Sequence, residues 1–339
     1  MRAAIFSAAG EPLQIEERPM PGAEPGSLVI RVRACGICAS DLHASEAPGM
    51  LSPGNVLGHE YAGEVVAIGA GVNGWAIGER LTALPASPCG VCAACKAGRF
   101  VECGDMLMQG FDPRMPGAYA EYTRCMAVLA MKLPESVDLQ DAATIEPLAV
   151  GLGACRSAAL EPGASVLVIG AGIIGLAVAK WARFFGAGDV GISEMVPARI
   201  ERARRIGADI VIDAARYADP VAEFQRITGR APTVIFECVG RPMIQKLIDM
   251  APPGAHLVMV GTGMQPEQLT VVTAALKRLR MSFHLAYELD DFPFVLRMLA
   301  VGRISTEGLV TGTVGLDALP AMFATLQQPN DHCKIMITP

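Results

Sequence analysis

The sequence predicts an α/β chain of two domains, an irregular, mostly β domain followed by a doubly wound parallel-sheet domain. Three observations predict it. The chain has 339 residues, about twice the 100–200 of one domain. Residues 1–145 are rich in glycine, proline and valine, with short β-type runs broken by turn residues. Residues 165–283 alternate apolar β runs with amphipathic helical stretches, the signature of βαβ units.

In chain order, the first domain offers the strands SLVIRVRA (27–34), AGEVVAIG (62–69) and ERLTAL (79–84). The second offers SVLVIG, the helical LAVAKWARFFGA, DVGISE, the helical PARIERARRIGA, DIVIDA, TVIFECVG and HLVMVG. From about 284 the rhythm fades, and a last strand, KIMIT, occupies 334–338.

Composition excludes several classes. Hydrophobic residues make up 52% and charged ones 18%, against a disordered chain. A net charge of -6 disfavours nucleic acid or an anionic membrane as the main partner. The N-terminus lacks the pattern of a signal peptide. The uncharged apolar stretch from Gly163 to Ala179 is short of the ~20 residues of a spanning helix. Cytoplasmic location is therefore expected. There disulfides are rare, so the clustered members of the ten cysteines read as metal ligands.

Gly170-Ala171-Gly172-Ile173-Ile174-Gly175 follows the β run Ser165 to Ile169 and opens a helical pattern. Glu194 ends the next strand, about 20 residues on, which completes the dinucleotide-binding fingerprint. The first glycine permits a tight turn, the second admits the pyrophosphate, and the third lets helix and strand pack. The helix N-terminus favours the negative charge. Glu194 is expected to accept hydrogen bonds from the adenosine ribose and to repel a 2′-phosphate, which favours NAD over NADP. Arg199 reads as a solvated helix residue, or, under NADP use, as the phosphate's partner.

Cys89, Cys92, Cys95 and Cys103 can close on one tetrahedral zinc with no open position, a structural site. The expected lobe spans 86–105, where Lys96 and Arg99 offset its charge. A second constellation joins Cys35, Cys38, Ser40, Asp41 and His43 with His59 and Glu60. By spacing alone, Cys35 and Cys38 are a redox pair or share a metal.

These motifs resemble the zinc-dependent medium-chain dehydrogenase/reductase (alcohol dehydrogenase) family, in its sorbitol and threonine dehydrogenase-like branch. GICASDLH, GHEYAGEVVAIG, the four-cysteine lobe, IEPLAVGLGAC and VIGAGIIG occur in the family's order. The resemblance implies a GroES-like catalytic domain over 1–146, a Rossmann NAD(P)-binding domain over 147–283 and a return to the catalytic domain over 284–339. It implies catalytic zinc ligands Cys38 and His59, with Glu146 of the Glu-Pro-Leu motif as third ligand and Glu60 near the metal, sometimes exchanging onto it. Two zinc ions per chain follow. Ser40 is implied to hydrogen-bond the alcohol oxygen and to pass its proton, through the nicotinamide ribose, to His43. Asp41 reads as a supporting or turn residue, Cys35 and Cys155 as buried, and His256, His284 and His332 as packing or surface residues. Leu51, Phe111, Met115 and Tyr287 are candidates for the substrate pocket. The function implied is hydride transfer between a secondary alcohol or polyol and NAD, in a homodimer or homotetramer. The alternatives are an NADP-dependent aldehyde or ketone reductase and a non-catalytic dinucleotide-binding redox sensor.

Overall fold

A computed structural model describes residues 1–99, 102–206 and 208–339. Positions 100 and 101 of the expected lobe, and 207 at the end of the expected helix PARIERARRIGA, lie outside the described residues. The chain forms two compact units. The first comprises Met1–Glu146, Glu288–Gly302 and Val310–Pro339; the second comprises Pro147–Tyr287 and Arg303–Leu309. The return to the first unit thus begins at Glu288, four residues after the position read from the sequence. His284 still belongs to the second unit because its N–H donates to Met259 O (2.8 Å) and its ring seats against Gly153.

The first unit is built on a seven-stranded sheet in the order Val310–Gly315, Lys334–Thr338, Ser27–Gly36, Glu60–Ile68, Arg80–Ala83 and Ala130–Lys132, with Tyr122–Met126 also pairing to Ser27–Gly36. Leu28, Ile30 and Val32 point into its core with Leu81, Val65 and Ile335. The end of the central strand matters for function. Cys35 lies opposite Tyr61 on one side and Ile337 on the other; Gly36 lies opposite Glu60 and Met336. Three chain segments far apart in sequence therefore meet around Gly36. The chain then enters the short helix Ala39–Glu46.

The second unit holds a six-stranded, all-parallel sheet in the order Ile210–Asp213, Asp189–Glu194, Ser165–Ile169, Val234–Glu237, His256–Met259 and Arg280–Phe283. This is the doubly wound arrangement that the strand–helix alternation predicts. Val166, Leu167 and Val168 are fully buried, the continuous apolar run expected where both faces of a parallel sheet are covered. Strand order reverses between Ser165–Ile169 and Val234–Glu237, the switch point beside which such folds bind ligands. No helix among the described residues is long and apolar enough to cross a membrane.

Candidate metal and dinucleotide sites

The first site grows from the meeting of strands at Gly36. Cys38 is the N-cap of Ala39–Glu46, which leaves its thiol at a helix N-terminus. His59 and Glu60 arrive from Gly58, whose φ of +96° is open to glycine. A Cβ on Gly58 would also fall 2.4 Å from the Tyr119 ring. The donor atoms of Cys38, His59 and Glu60 all lie within 4.8 Å of one another. His59 and Glu60 are buried and Cys38 is half-buried, so the thiol side is the accessible one.

A buried network surrounds this donor group. Asp41 Oδ1 faces His59 Nδ1 at 3.1 Å, and Tyr119 Oη donates to Asp41 Oδ2 at 2.5 Å. The Cys38 N–H also donates to Asp41 Oδ2 (3.3 Å). Burial opposes charge on both members of the His59–Asp41 pair. Their mutual attraction overrides it, holding the imidazole well above its ordinary range and the carboxyl below. With Nδ1 committed to Asp41, Nε2 is the nitrogen left to ligate a metal.

On the far side, Lys334 Nζ lies 2.6 Å from Glu60 and donates to Ile37 O at 2.8 Å. Burial works against the ammonium, but Glu60 and Cys38 more than offset it and raise its pKa. Glu146 is buried and close enough to Lys334 to add to that field, yet it stands outside the donor group of Cys38, His59 and Glu60. Thiol, imidazole and carboxylate donors, with Asp41 and Glu146 close by and one lysine to balance them, suit a divalent cation.

Ser40 donates from Oγ to Cys38 Sγ (3.1 Å) and is half-buried, while His43, one helical turn further, is exposed. The Phe111 ring lies 5.5 Å from the His59 ring. Leu51 belongs to the hydrophobic core, Met115 is half-buried and Tyr287 is buried. Cys35 is fully buried, which pushes its thiol well above the ordinary range; Cys155 is likewise closed off, donating to Val178 O. His256 sits between Ser282 and Arg280. Sequence reasoning missed Lys334 and Tyr119. The signal for the first was a lysine opening the apolar strand KIMIT, since a buried ammonium demands a carboxylate. The tyrosine gave none.

The four lobe sulfurs of Cys89, Cys92, Cys95 and Cys103 lie within 4.8 Å of one another. Cys89 and Cys95 are 3.9 Å apart, close to the roughly 3.8 Å that tetrahedral zinc with 2.3 Å bonds requires. Backbone N–H groups of Cys89, Cys92 and Cys95 donate to Cys103, Cys89 and Cys92 respectively, each at 3.4 Å. Donation from Val91 and Cys92 brings the Cys89 thiol down to about 7, while burial pushes Cys95 up to about 12. Arg99 spends its charge on Glu102 at 2.9 Å.

In the second unit Gly170 turns at φ +99°, and a Cβ there would meet Val239 at 2.9 Å. A Cβ on Gly175 would fall 1.9 Å from Gly170 O, whereas one on Gly172 would meet nothing within 4 Å. That open space lies before the helix Ile173–Phe184, where the N–H groups of Ile173 and Ile174 have no intrahelical acceptor. The cradle fits a pyrophosphate. Glu194 is buried and already engaged: Oε2 accepts from Ala171 N–H (2.9 Å), and Oε1 accepts from Met195 (2.7 Å) and Val196 (3.0 Å). It therefore ties the glycine turn to the next strand, and its oxygens keep capacity for a ribose hydroxyl. Arg199 is half-buried on the helix Pro197–Arg205.

Residues 24–135 match the alcohol dehydrogenase GroES-like domain and residues 174–301 match the zinc-binding dehydrogenase domain. The sorbitol dehydrogenase of Bacillus subtilis is 32% identical over 347 residues, with 100% of this chain and 97% of that protein covered. Among solved structures, a Sinorhizobium meliloti protein described as a zinc-binding dehydrogenase, bound to NADP, has a TM-score of 0.90 at 25% identity, covering 100% and 99% of the two chains. An Escherichia coli alcohol dehydrogenase complexed with NADH has a TM-score of 0.90 at 27% identity, again over 100% and 99%.

Proposed function

This chain belongs to the zinc-dependent medium-chain dehydrogenase family, in the sorbitol dehydrogenase-like group, and from that premise we propose that it transfers a hydride between a secondary alcohol or polyol and NAD. The observation that carries the reading is the donor group of Cys38, His59 and Glu60 at the head of a helix bearing Ser40. A zinc ion held there supplies positive charge that favours a deprotonated alcohol. The dinucleotide supplies the hydride acceptor.

The chain's own residues do the rest. Cys38 and His59 hold the metal, and a carboxylate completes the set. The proximity of Glu60 to Cys38 and His59 supports Glu60 in that role, with Glu146 of the Glu-Pro-Leu motif as the alternative donor. Ser40 hydrogen-bonds the alcohol oxygen, giving up its own hydroxyl proton as it takes the alcohol's, and exposed His43 releases the relayed proton to water. Gly170, Gly172, Ile173, Ile174 and Gly175 cradle the pyrophosphate. Glu194 selects NAD by accepting from the ribose, and its negative charge disfavours a 2′-phosphate. Cys89, Cys92, Cys95 and Cys103 hold a second, structural zinc.

A homo-oligomer is part of this proposal. Val271, Val272, Leu276, Phe283 and Leu285 are all exposed. Three lie on the helix Val271–Leu276 and two at or just past the end of Arg280–Phe283, the last strand of the parallel sheet, and a sheet edge is a template for another copy. That none of the ten cysteines is in a disulfide supports a reducing, cytoplasmic setting.

The test is turnover of sorbitol, xylitol and simple secondary alcohols with NAD and NADP, alongside zinc analysis. NAD-dependent oxidation with two zinc ions per chain is the expected result. Higher kcat/KM with NADP would move the assignment to the reductase, with Arg199 as phosphate ligand. No turnover with any alcohol despite bound zinc would overturn it.

A further inference from the structure

We propose that Tyr119 is a positioning residue for the metal centre, acting through Asp41 on His59, and that its hydroxyl controls how firmly the Cys38–His59 site holds its metal. The proposal rests on the zinc reading above.

Three features carry it. The first is a continuous chain of polar contacts. Tyr119 Oη donates to Asp41 Oδ2 (2.5 Å), and the other oxygen of the same carboxylate faces His59 Nδ1 (3.1 Å). Both Tyr119 and Asp41 are fully closed to solvent, so no water can replace the phenol. The second is that Asp41 has few other partners. Oδ1 faces His59, and among the described residues Oδ2 receives only the phenol and the Cys38 N–H, at 3.3 Å. Without the phenol the carboxylate keeps only the longer Cys38 N–H contact besides His59, so its orientation is less firmly set and the imidazole it orients can follow. Ligand-orienting partners of this kind matter for metal retention.

The third feature is that the tyrosine itself is fixed from both sides. Its backbone N–H donates to Leu57 O (2.9 Å), Ala4 N–H donates to its carbonyl (2.8 Å), and Ala118 N–H donates to Gly58 O (2.8 Å). The ring fills the space that any Cβ at Gly58 would take. Its far side meets Phe323 edge-on, with centroids 6.3 Å apart. Gly58 is the residue before His59. The same ring that reaches Asp41 therefore bears on the backbone from which His59 departs, and ligand and orienter are registered against one phenol.

Tyr119→Phe retains the ring in its seat and removes only the donor. Catalytic-site cobalt, loaded after chelation, should show a shifted and broadened d–d spectrum. Zinc affinity at that site, measured by chelator competition, should fall about 10- to 100-fold, while the four-cysteine site keeps its metal. In the Asp41→Ala background the tyrosine substitution should add nothing further, because the path between phenol and imidazole is already cut. Phe323→Leu keeps the hydroxyl and loosens the packing; it should lower thermal stability and leave zinc affinity within about twofold. Wild-type affinity and an unchanged cobalt spectrum in Tyr119→Phe would overturn the proposal. So would a loss in Phe323→Leu equal to that in Tyr119→Phe, since packing would then account for both. If wild-type protein takes up metal only at the four cysteines, it is the zinc reading that fails.

Discussion

Lys334 and Glu60, 274 positions apart in sequence, form a fully buried ion pair at 2.6 Å, closed over Gly36. A Cβ on Gly36 would fall 2.0 Å from Glu60 Oε2 and 3.1 Å from Lys334 Cδ, so the pair requires a glycine between them. Removing one partner of a buried pair leaves the other uncompensated, at a cost of about 3–5 kcal/mol. Lys334→Met should therefore lower urea stability of zinc-depleted protein by about that amount. Zinc should recover more than half of the loss, because Glu60 then has a second cation to face. Equal losses with and without zinc would remove Glu60 from the metal site.

The same pair has a defined pH dependence. Burial lowers the Lys334 pKa, but Glu60 and Cys38 raise it by more, so the folded value lies above the ordinary 10.5. A raised lysine contributes stability that is fully present below the unfolded pKa and is lost as pH rises through the folded one. The stability difference between wild type and Lys334→Met should be flat from about pH 6 to 10 and shrink only beyond that range. A difference that shrinks near pH 8 would contradict the pairing.

The two metal sites should fail differently. Cys95→Ala opens a closed thiolate cluster and should lower the melting temperature and soluble yield, with surviving protein still turning over. Cys38→Ala should abolish turnover with the fold intact by circular dichroism. Metal analysis should give about one zinc per chain in either variant and two in wild type.

Glu194→Ser should do two things. It removes the acceptor for Ala171 N–H, so KM should rise for both coenzymes as the glycine turn loosens. It also removes the charge, so the ratio of kcat/KM for NAD over NADP should drop by about 10-fold or more, the scale of a hydrogen bond to a charged group. Steady-state kinetics with both coenzymes checks this; an unchanged ratio would exclude Glu194 from coenzyme choice.

Ser40→Ala should lose about 10²–10⁴-fold in kcat, the usual worth of acid–base help. His43 is exposed, so water can partly replace it. His43→Gln should cost less and recover in imidazole buffer. A wild-type kcat for His43→Gln across pH 6–9, with proton release rate-limiting, would take the relay elsewhere.

Leu276→Glu, at the end of the helix Val271–Leu276, and Phe283→Glu, on the edge strand Arg280–Phe283, place charge on exposed apolar positions. Sedimentation should show dissociation toward monomer in both variants. Wild type that sediments as a monomer would empty this surface of the role proposed for it.

Much of this molecule can be read along the chain. The glycines of the dinucleotide turn, the four lobe cysteines and the Gly58-His59-Glu60 run act over a few residues, where backbone geometry and ligand spacing are local properties. Strand–helix alternation likewise settles the parallel sheet, because each βαβ unit buries its own neighbours. What surrounds the metal site is not local. Lys334 reaches Glu60 only because the C-terminal strand pairs beside Ser27–Gly36. Tyr119 reaches Asp41 only because its segment runs against Leu57 and Gly58. The proximity of Glu60 to Cys38 and His59 follows from how a sheet and a helix end converge at Gly36. Sequence by itself determined which side chains make up the candidate metal and dinucleotide groups, since donor type and short spacing are local properties. Tertiary structure alone decided which buried charges face one another, because a desolvated charge is governed by its nearest partner in space, however distant that partner is along the chain.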